Sequence, residues 1–275
     1  MSAIVTLTTD FGLVDAYVAV MKGVILSINP EANLVDICHN IKAQNIPQAA
    51  FVLSTAYQFF PMKTIHLVVV DPGVGTKRRA IILKTPSAIF VAPDNGVLSY
   101  IIQELSNKAI DDDIGRQQVN LESELEAVAI TKTKFSHSPV STTFHGRDIF
   151  APVAALLSLG FPPIDFGETI NSINVLPVPH PYCKSDGTVM GNILHVDIFG
   201  NLITNIKQSD LSKAKKAPVI EIGKELITGL SHTYADGVGM VALMGSSGYL
   251  EISLKGGNAN NFLSVGIGHE VKIRY

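Results

Sequence analysis

The 275-residue sequence has no tryptophan, only two cysteines, and charged residues at just 16% of its positions. Cys38 and Cys183 lie far apart with no CxxC spacing, which argues against a disulfide framework or a thiolate metal site. With 21 basic and 24 acidic residues the net charge is -3, too balanced to create a global field for nucleic acid. No window reaches the roughly 18 uninterrupted apolar residues of a membrane span, and MSAIVTLTTDFG carries no basic segment ahead of an apolar one. The expectation is a soluble, cytoplasmic protein with no nucleic-acid or membrane partner. Neither GxGxxG nor GxxxxGK[ST] occurs, so no dinucleotide or P-loop phosphate cradle is present. What the chain has in quantity is apolar residues, at 47%, enough to fill two compact domains or one large one.

Those apolar residues fall into two patterns. Ile4–Thr8 reads as a strand, and Val14, Tyr17, Val18, Met21, Val24, Ile25 and Ile28 then follow helical spacing until Asn29-Pro30. Leu34–Ile37, Ile65–Val70, Ala80–Leu83, Ala88–Val91 and Leu125–Ile130 read as further strands. Helices are expected from Pro47 through Tyr57, from Val97 to Leu105 and from Asp148 to Leu159. Ile65–Val70 is apolar at nearly every position, the mark of a strand in a sheet covered on both faces. Pro162, Pro163, Pro177, Pro179 and Pro181, five of the fourteen prolines, then signal a junction. Beyond it come short strand candidates at Thr188–Val196, Leu202–Ile206, Val219–Ile222, Met240–Leu243, Tyr249–Leu254 and Glu270–Ile273, with little helical periodicity. We therefore expect an α/β domain over 1–165 with a covered, mostly parallel sheet, a proline-rich linker over 166–182, and a smaller all-β, barrel-like domain over 183–275. The acidic run Asp111–Asp113 reads as a solvated loop.

In an open α/β sheet ligands sit beyond the carboxyl ends of the strands. Four polar segments lie at such places: TTDFG with Asp10, DPGVG with Asp71, PDNG with Asp94 and Asn95, and FHGRD with His145. An isolated DPG is most simply an Asx turn, but Arg78 and Arg79 follow closely enough for one guanidinium to fold back onto Asp71. His145, beside a glycine at a loop-to-helix junction, suits base chemistry, and Asp10 suits the two hydroxyls of a ribose. Arg147 and Asp148 read as capping or charging the following helix. In the β-rich half, DIFGN with Asp197 and Asn201, and GSSGY with Ser246 and Ser247, read as ordinary turns.

Taken in order from Thr8 to Ala259, TTDFG, VVDPGVGT with Arg78, PDNG, TFHGRD, DIFGNLITNI, and GSSGYLEI followed by GGNA resemble the S-adenosylmethionine hydroxide adenosyltransferase family, relatives of the fluorinases. The resemblance implies a catalytic set of Asp71, Arg78 and His145, with Arg79 left as the alternative to Arg78. It implies Asp10 on the ribose, Asp197, Asn201, Ser246 and Ser247 around the methionine end, and Asn258 and Ala259 near the adenine. It further implies a homotrimer with intersubunit active sites, a small-molecule substrate and no cofactor or metal. Gln44 stands roughly where the fluorinases place a tryptophan.

The implied reaction is attack by water or hydroxide on the 5′ carbon of S-adenosyl-L-methionine, releasing adenosine and L-methionine. The sulfonium leaves as a neutral thioether, so no general acid is needed at the leaving group. The expectation is that His145 accepts the water proton, Arg78 stabilises hydroxide character and Asp71 orients Arg78 and the water. The rival readings are a halide-using adenosyltransferase, a metal-dependent phosphoesterase built on Asp10, Asp71, Asp94, Asn95 and His145, and a non-catalytic S-adenosylmethionine or adenosine sensor.

Overall fold

A computed structural model describes residues 2–106, 115, 117–211 and 217–275. The run Asp111–Asp113 lies outside the described residues. The chain folds as two compact units, Met1–Val178 and Pro179–Tyr275.

In the first unit the strands are β1 (Ile4–Thr9), β2 (Asn33–Cys38), β3 (Thr64–Val69), β4 (Ala80–Lys84), β5 (Ala88–Pro93), β6 (Gln117–Asn120), β7 (Glu126–Ile130), β8 (Gly167–Ile170) and β9 (Ser172–Val175). Seven of them form one sheet in the order β2-β1-β3-β5-β4-β7-β8, and β6 pairs with β9 separately. The pairings β2/β1, β1/β3 and β3/β5 are parallel, and β5/β4, β4/β7 and β7/β8 are antiparallel. Since β7 regains the direction of the first four strands, five of the seven point one way. The sheet is covered on both faces, as the apolar β3 strand requires. Ile65, Leu67 and Val69 pack with Met21, Ile25 and Phe150, while Val68 and Val70 pack with Leu53, Phe90 and Ile101.

The helices are α1 (Tyr17–Ile28), α2 (Ile46–Ala56), α3 (Ser99–Leu105) and α4 (Ala151–Ser158). Pro47 sits in the first turn of α2, as its missing N–H favours, and Asn45 caps that helix by accepting from the Gln48 amide. The apolar stripe of α1 is narrower than the sequence pattern. Val18, Met21 and Ile25 are buried, but Val14 precedes the helix and is 99% exposed, and Tyr17 is 47% exposed. The proline-rich stretch 166–182 contains β8 and β9, both paired inside the first unit, because its later prolines fall after β9 and leave every ladder N–H in place.

The second unit contains β10 (Tyr182–Cys183), β11 (Val189–Val196), β12 (Leu202–Lys207), β13 (Val219–Ile222), β14 (Glu225–Thr228), β15 (Met240–Met244), β16 (Tyr249–Leu254), the short helix α5 (Ala259–Leu263) and β17 (Glu270–Arg274). Its sheet runs β14-β13-β17-β11-β12-β16-β15 with β10 beside β11, and the end strands β14 and β15 approach one another. This is a nearly closed antiparallel barrel around Ile193, Leu202, Ile220, Leu250 and Ile273. Among the described residues no helix is long and apolar enough to cross a membrane.

Candidate active site

The parallel strands β1, β3 and β5 bring their carboxyl ends to one edge of the sheet, so Asp10, Asp71 and Asp94 all leave strands there. A cavity of about 380 Å³ opens at that edge, and its lining includes Asp10, Asp71 and His145.

Asp71 enters a tight turn in which the Val74 amide donates to the Asp71 carbonyl at 3.1 Å and the Thr76 amide to that of Gly73 at 3.1 Å. Gly75 is required there twice over. Its φ is +76°, and a Cβ would stand 2.4 Å from the Thr142 carbonyl oxygen. This reversal folds Arg78 back. Arg78 Nε donates to both carboxylate oxygens of Asp71, at 3.0 and 2.8 Å, and Nη2 lies 2.5 Å from Oδ2. The same Nη2 is 2.7 Å from His145 Nδ1, and the guanidinium packs over Phe150 at 5.1 Å. Side-chain exposure is 4% for Asp71 and 11% for Arg78, so the pair is substantially desolvated.

His145 precedes and Phe150 ends one π-type turn, Gly146–Phe150, that leads into α4, a local irregularity of the kind that recurs at functional sites. Asp148 does not cap the helix. It is fully buried, accepts from the Ser141 amide at 2.7 Å and from Arg147 Nε at 2.6 Å, and through its carbonyl takes the His137 amide at 2.8 Å. Asp148 thus ties residues 137–141 to the turn that carries His145. Burial alone would raise its pKa, but hydrogen bonds from Arg147 and Ser141, with the charges of Arg147 and His137, hold it below the ordinary 3.8. Its stabilising contribution is therefore fully present above its unfolded value and is lost as pH falls through the lower folded one. Asp148→Asn should lower the melting temperature at pH 7, and the gap to wild type should narrow below about pH 4; thermal melts at both pH values check this.

Burial first, and the Arg78 charge second, hold the His145 pKa below its ordinary 6.5, against the opposite pull of Asp71 and Asp148. The ring is neutral at pH 7. Because a guanidinium has donors only, Nδ1 accepts from Arg78 and the hydrogen sits on Nε2.

Arg79 faces elsewhere. Its Nε donates to Asp94 Oδ2 at 2.8 Å and its Nη2 to the Ser172 carbonyl at 3.0 Å. Asp94 also accepts from the Asn174 backbone and side-chain amides, and Asn95 donates to the Val70 carbonyl and accepts from the Val97 amide. The PDNG segment therefore stitches β9 and the turn after β5 to the sheet, and Asp94 and Asn95 are not free to ligate a metal. Among the described residues no group of three His, Cys, Asp or Glu side chains is placed to hold one.

Asp10 accepts from the Gln44 amide at 2.7 Å, with Gln44 at φ +65° beside it in the lining. Sequence reasoning passed over the aromatic wall. Phe11, Tyr17 and Phe144 form a mutual cluster with centroid separations of 5.7, 5.9 and 5.1 Å, and all three line the cavity. Their adjacency to Asp10 and His145 was the available signal for Phe11 and Phe144; Tyr17 was hidden in a helical apolar pattern.

In the second unit Asp197 accepts from the amides of Phe199 and Asn201 at 2.9 and 2.8 Å and from Asn201 Nδ2 at 2.9 Å. Gly200, at φ +83°, packs so closely on the Asn258 amide that a Cβ would lie 2.1 Å from it. The Asn260 amide donates to the Gly200 carbonyl, and Asn258 caps α5, where Ala259 is buried. Asp197, Asn201, Asn258 and Ala259 are thus one local cluster. Ser246 and Ser247 are exposed in the β15–β16 turn.

Two family models cover most of the chain. The SAM hydroxide adenosyltransferase N-terminal domain matches residues 5–167 and the corresponding C-terminal domain residues 191–272. The chain is 34% identical to an (R)-S-adenosyl-L-methionine hydrolase of Methanocaldococcus jannaschii, covering 99% of this chain and 96% of that one. A fluorinase of Actinoplanes sp. is 28% identical over 77% of this chain and 74% of its own. The crystal structure of an uncharacterized conserved protein from Thermotoga maritima superposes with a TM-score of 0.85 at 36% identity, covering 99% of this chain and all of that one.

Proposed function

This chain belongs to the SAM hydroxide adenosyltransferase family and hydrolyses S-adenosyl-L-methionine to adenosine and L-methionine, and from that premise we propose which of its residues carry the reaction. The observation that supports the assignment is Arg78 bridging Asp71 and His145 at a cavity that Asp10 also lines.

Water attacks the 5′ carbon, the carbon–sulfur bond breaks, and its electron pair stays on sulfur as a neutral thioether. The new bond first leaves a protonated 5′ alcohol, far more acidic than any carboxylic acid, so a weak base close by suffices to take the proton. The expectation that His145 is that base meets an obstacle: its Nδ1 lone pair is engaged by Arg78 and its Nε2 carries hydrogen. We assign the proton to the Asp71 carboxylate and give His145 the part of a neutral donor that steadies the water oxygen. Arg78 does not itself line the cavity; it holds both groups and lends them its charge. Asp10 takes the ribose hydroxyls, and the aromatic wall of Phe11, Tyr17 and Phe144 supplies faces for the flat or cationic parts of the substrate, in a chain without tryptophan. Asp197, Asn201, Ser246 and Ser247 at the methionine end, Asn258 and Ala259 near the adenine, and assembly as a homotrimer complete the proposal. Light scattering giving the mass of three chains supports the assembly.

The test is chromatography of the products after incubation with S-adenosyl-L-methionine in halide-free buffer containing chelator. Adenosine and methionine in equal amounts are expected. Intact substrate would overturn the reading, and a 5′-halogenated nucleoside formed only with added fluoride or chloride would replace it with the halide reaction.

A further inference from the structure

Behind the Asp10 loop lies a buried histidine that the reaction does not use. His39 follows β2 at the carboxyl edge of the sheet and is 5% exposed. The β1/β2 register pairs Leu7 with Asp36 but Thr8 with Cys38, so Ile37 is an extra residue in β2. Such a bulge is uncommon in a parallel pair, and bulges near sites re-aim the side chains that follow. Here it brings His39 Nδ1 to 2.8 Å from Thr9 Oγ1.

Nε2 stands 3.0 Å from Asp36 Oδ1, a contact outside hydrogen-bond geometry, and Asp36 Oδ2 accepts from Lys22 Nζ at 2.6 Å. The neighbouring carboxylate favours the ring hydrogen on Nε2, which leaves Nδ1 to accept from the Thr9 hydroxyl. The Thr9 oxygen then accepts from the Phe11 amide at 3.3 Å, and the His39 carbonyl accepts from the Gly12 amide at 2.8 Å. Side chain and backbone of one residue therefore grip the loop on both sides of Asp10. Lys22 and Asp36 are 31% and 39% exposed, so their pair contributes little; the buried link to Thr9 is the one that matters.

We propose that His39 is a positioning residue for the Asp10–Gly12 loop, holding it through Thr9 and so setting affinity for the ribose end of the substrate. The inference rests on the reading of Asp10 as the ribose acceptor. Its test is adenosine affinity by calorimetry, together with kcat and KM for S-adenosyl-L-methionine, in wild type, His39→Ala, His39→Asn, Thr9→Val and the double variant Thr9→Val/His39→Ala. His39→Ala should weaken adenosine binding about tenfold and raise KM by a similar factor, with kcat within about twofold. His39→Asn, whose amide oxygen can still accept from Thr9, should recover most of the loss. Thr9→Val, which keeps the volume but removes the hydroxyl, should reproduce it, and the double variant should be no worse than either single one. Should His39→Ala fail to fold, Thr9→Val and His39→Asn carry the same comparison.

A loss confined to kcat, equal losses in His39→Ala and His39→Asn, or additive losses in the double variant would overturn the proposal. Wild-type affinity left intact by both Thr9→Val and His39→Ala would overturn it alone. A wild-type chain with no affinity for adenosine would overturn the reading of Asp10 and the inference with it.

Discussion

Arg78→Ala should lower kcat by about a thousandfold while leaving KM within a few-fold of wild type, because the guanidinium organises the reacting set and does not itself line the cavity. The variant removes the partner that holds Asp71 at 2.8 Å and His145 at 2.7 Å. It also leaves a carboxylate that is 4% exposed without its counter-charge. Losing one partner of so desolvated a pair costs roughly 3 kcal/mol, so the melting temperature should fall as well, and rates must be taken well below it. Arg78→Lys separates the two effects. Its ammonium restores charge against Asp71, so much of the stability should return, but a point charge cannot hold the carboxylate through a planar fork and donate to His145 together, so turnover should stay low. Steady-state kinetics beside thermal melts decide the matter. Wild-type turnover in Arg78→Ala would remove the residue from the mechanism, and wild-type turnover in Arg78→Lys would reduce it to a charge.

The same arginine shows where sequence reasoning reaches its limit. Asp71 was legible because a carboxylate after a run of buried β-branched residues must emerge at a strand end. The choice between Arg78 and Arg79 was not legible from the residues themselves. They precede β4 as neighbours, and adjacent residues in extended chain point to opposite sides, so one reaches Asp71 and the other Asp94. Only the fold, with β9 presenting Asn174 and Ser172 beside Asp94, gives the second arginine and the PDNG segment their structural task. The sheet was legible from its apolar runs, yet β8 and β9 were concealed by the prolines around them. Helical spacing likewise put Tyr17 with the core face of α1, although at the first turn its ring is left to meet Phe11 and Phe144. The π-type turn that presents His145 has no sequence signature, and the hold of its buried Asp148 on residues 137–141 is visible only in the fold.

His145→Ala should reduce kcat by about a hundredfold or more, the usual cost of losing a positioned donor or proton acceptor, but His145→Gln tells the two roles apart. A glutamine side chain cannot act as a base at neutral pH, whereas its Nε2 carries hydrogen close to where the imidazole Nε2 carries one. If His145 is a neutral donor, held in that tautomer by Arg78, His145→Gln should retain activity within about tenfold of wild type. If it is the base, both variants should be equally poor. The pH profile supplies an independent check. Burial and Arg78 depress the His145 pKa, so the neutral ring should persist below 6.5, and wild-type kcat/KM should fall only as pH drops through that lowered value. In His145→Gln nothing titrates at that position, so that acid limb should disappear. A limb unchanged in His145→Gln would belong to another group and would detach the pH dependence from His145, while equal inactivity of the two variants would return the proton to the imidazole and require the Arg78 contact to open during turnover.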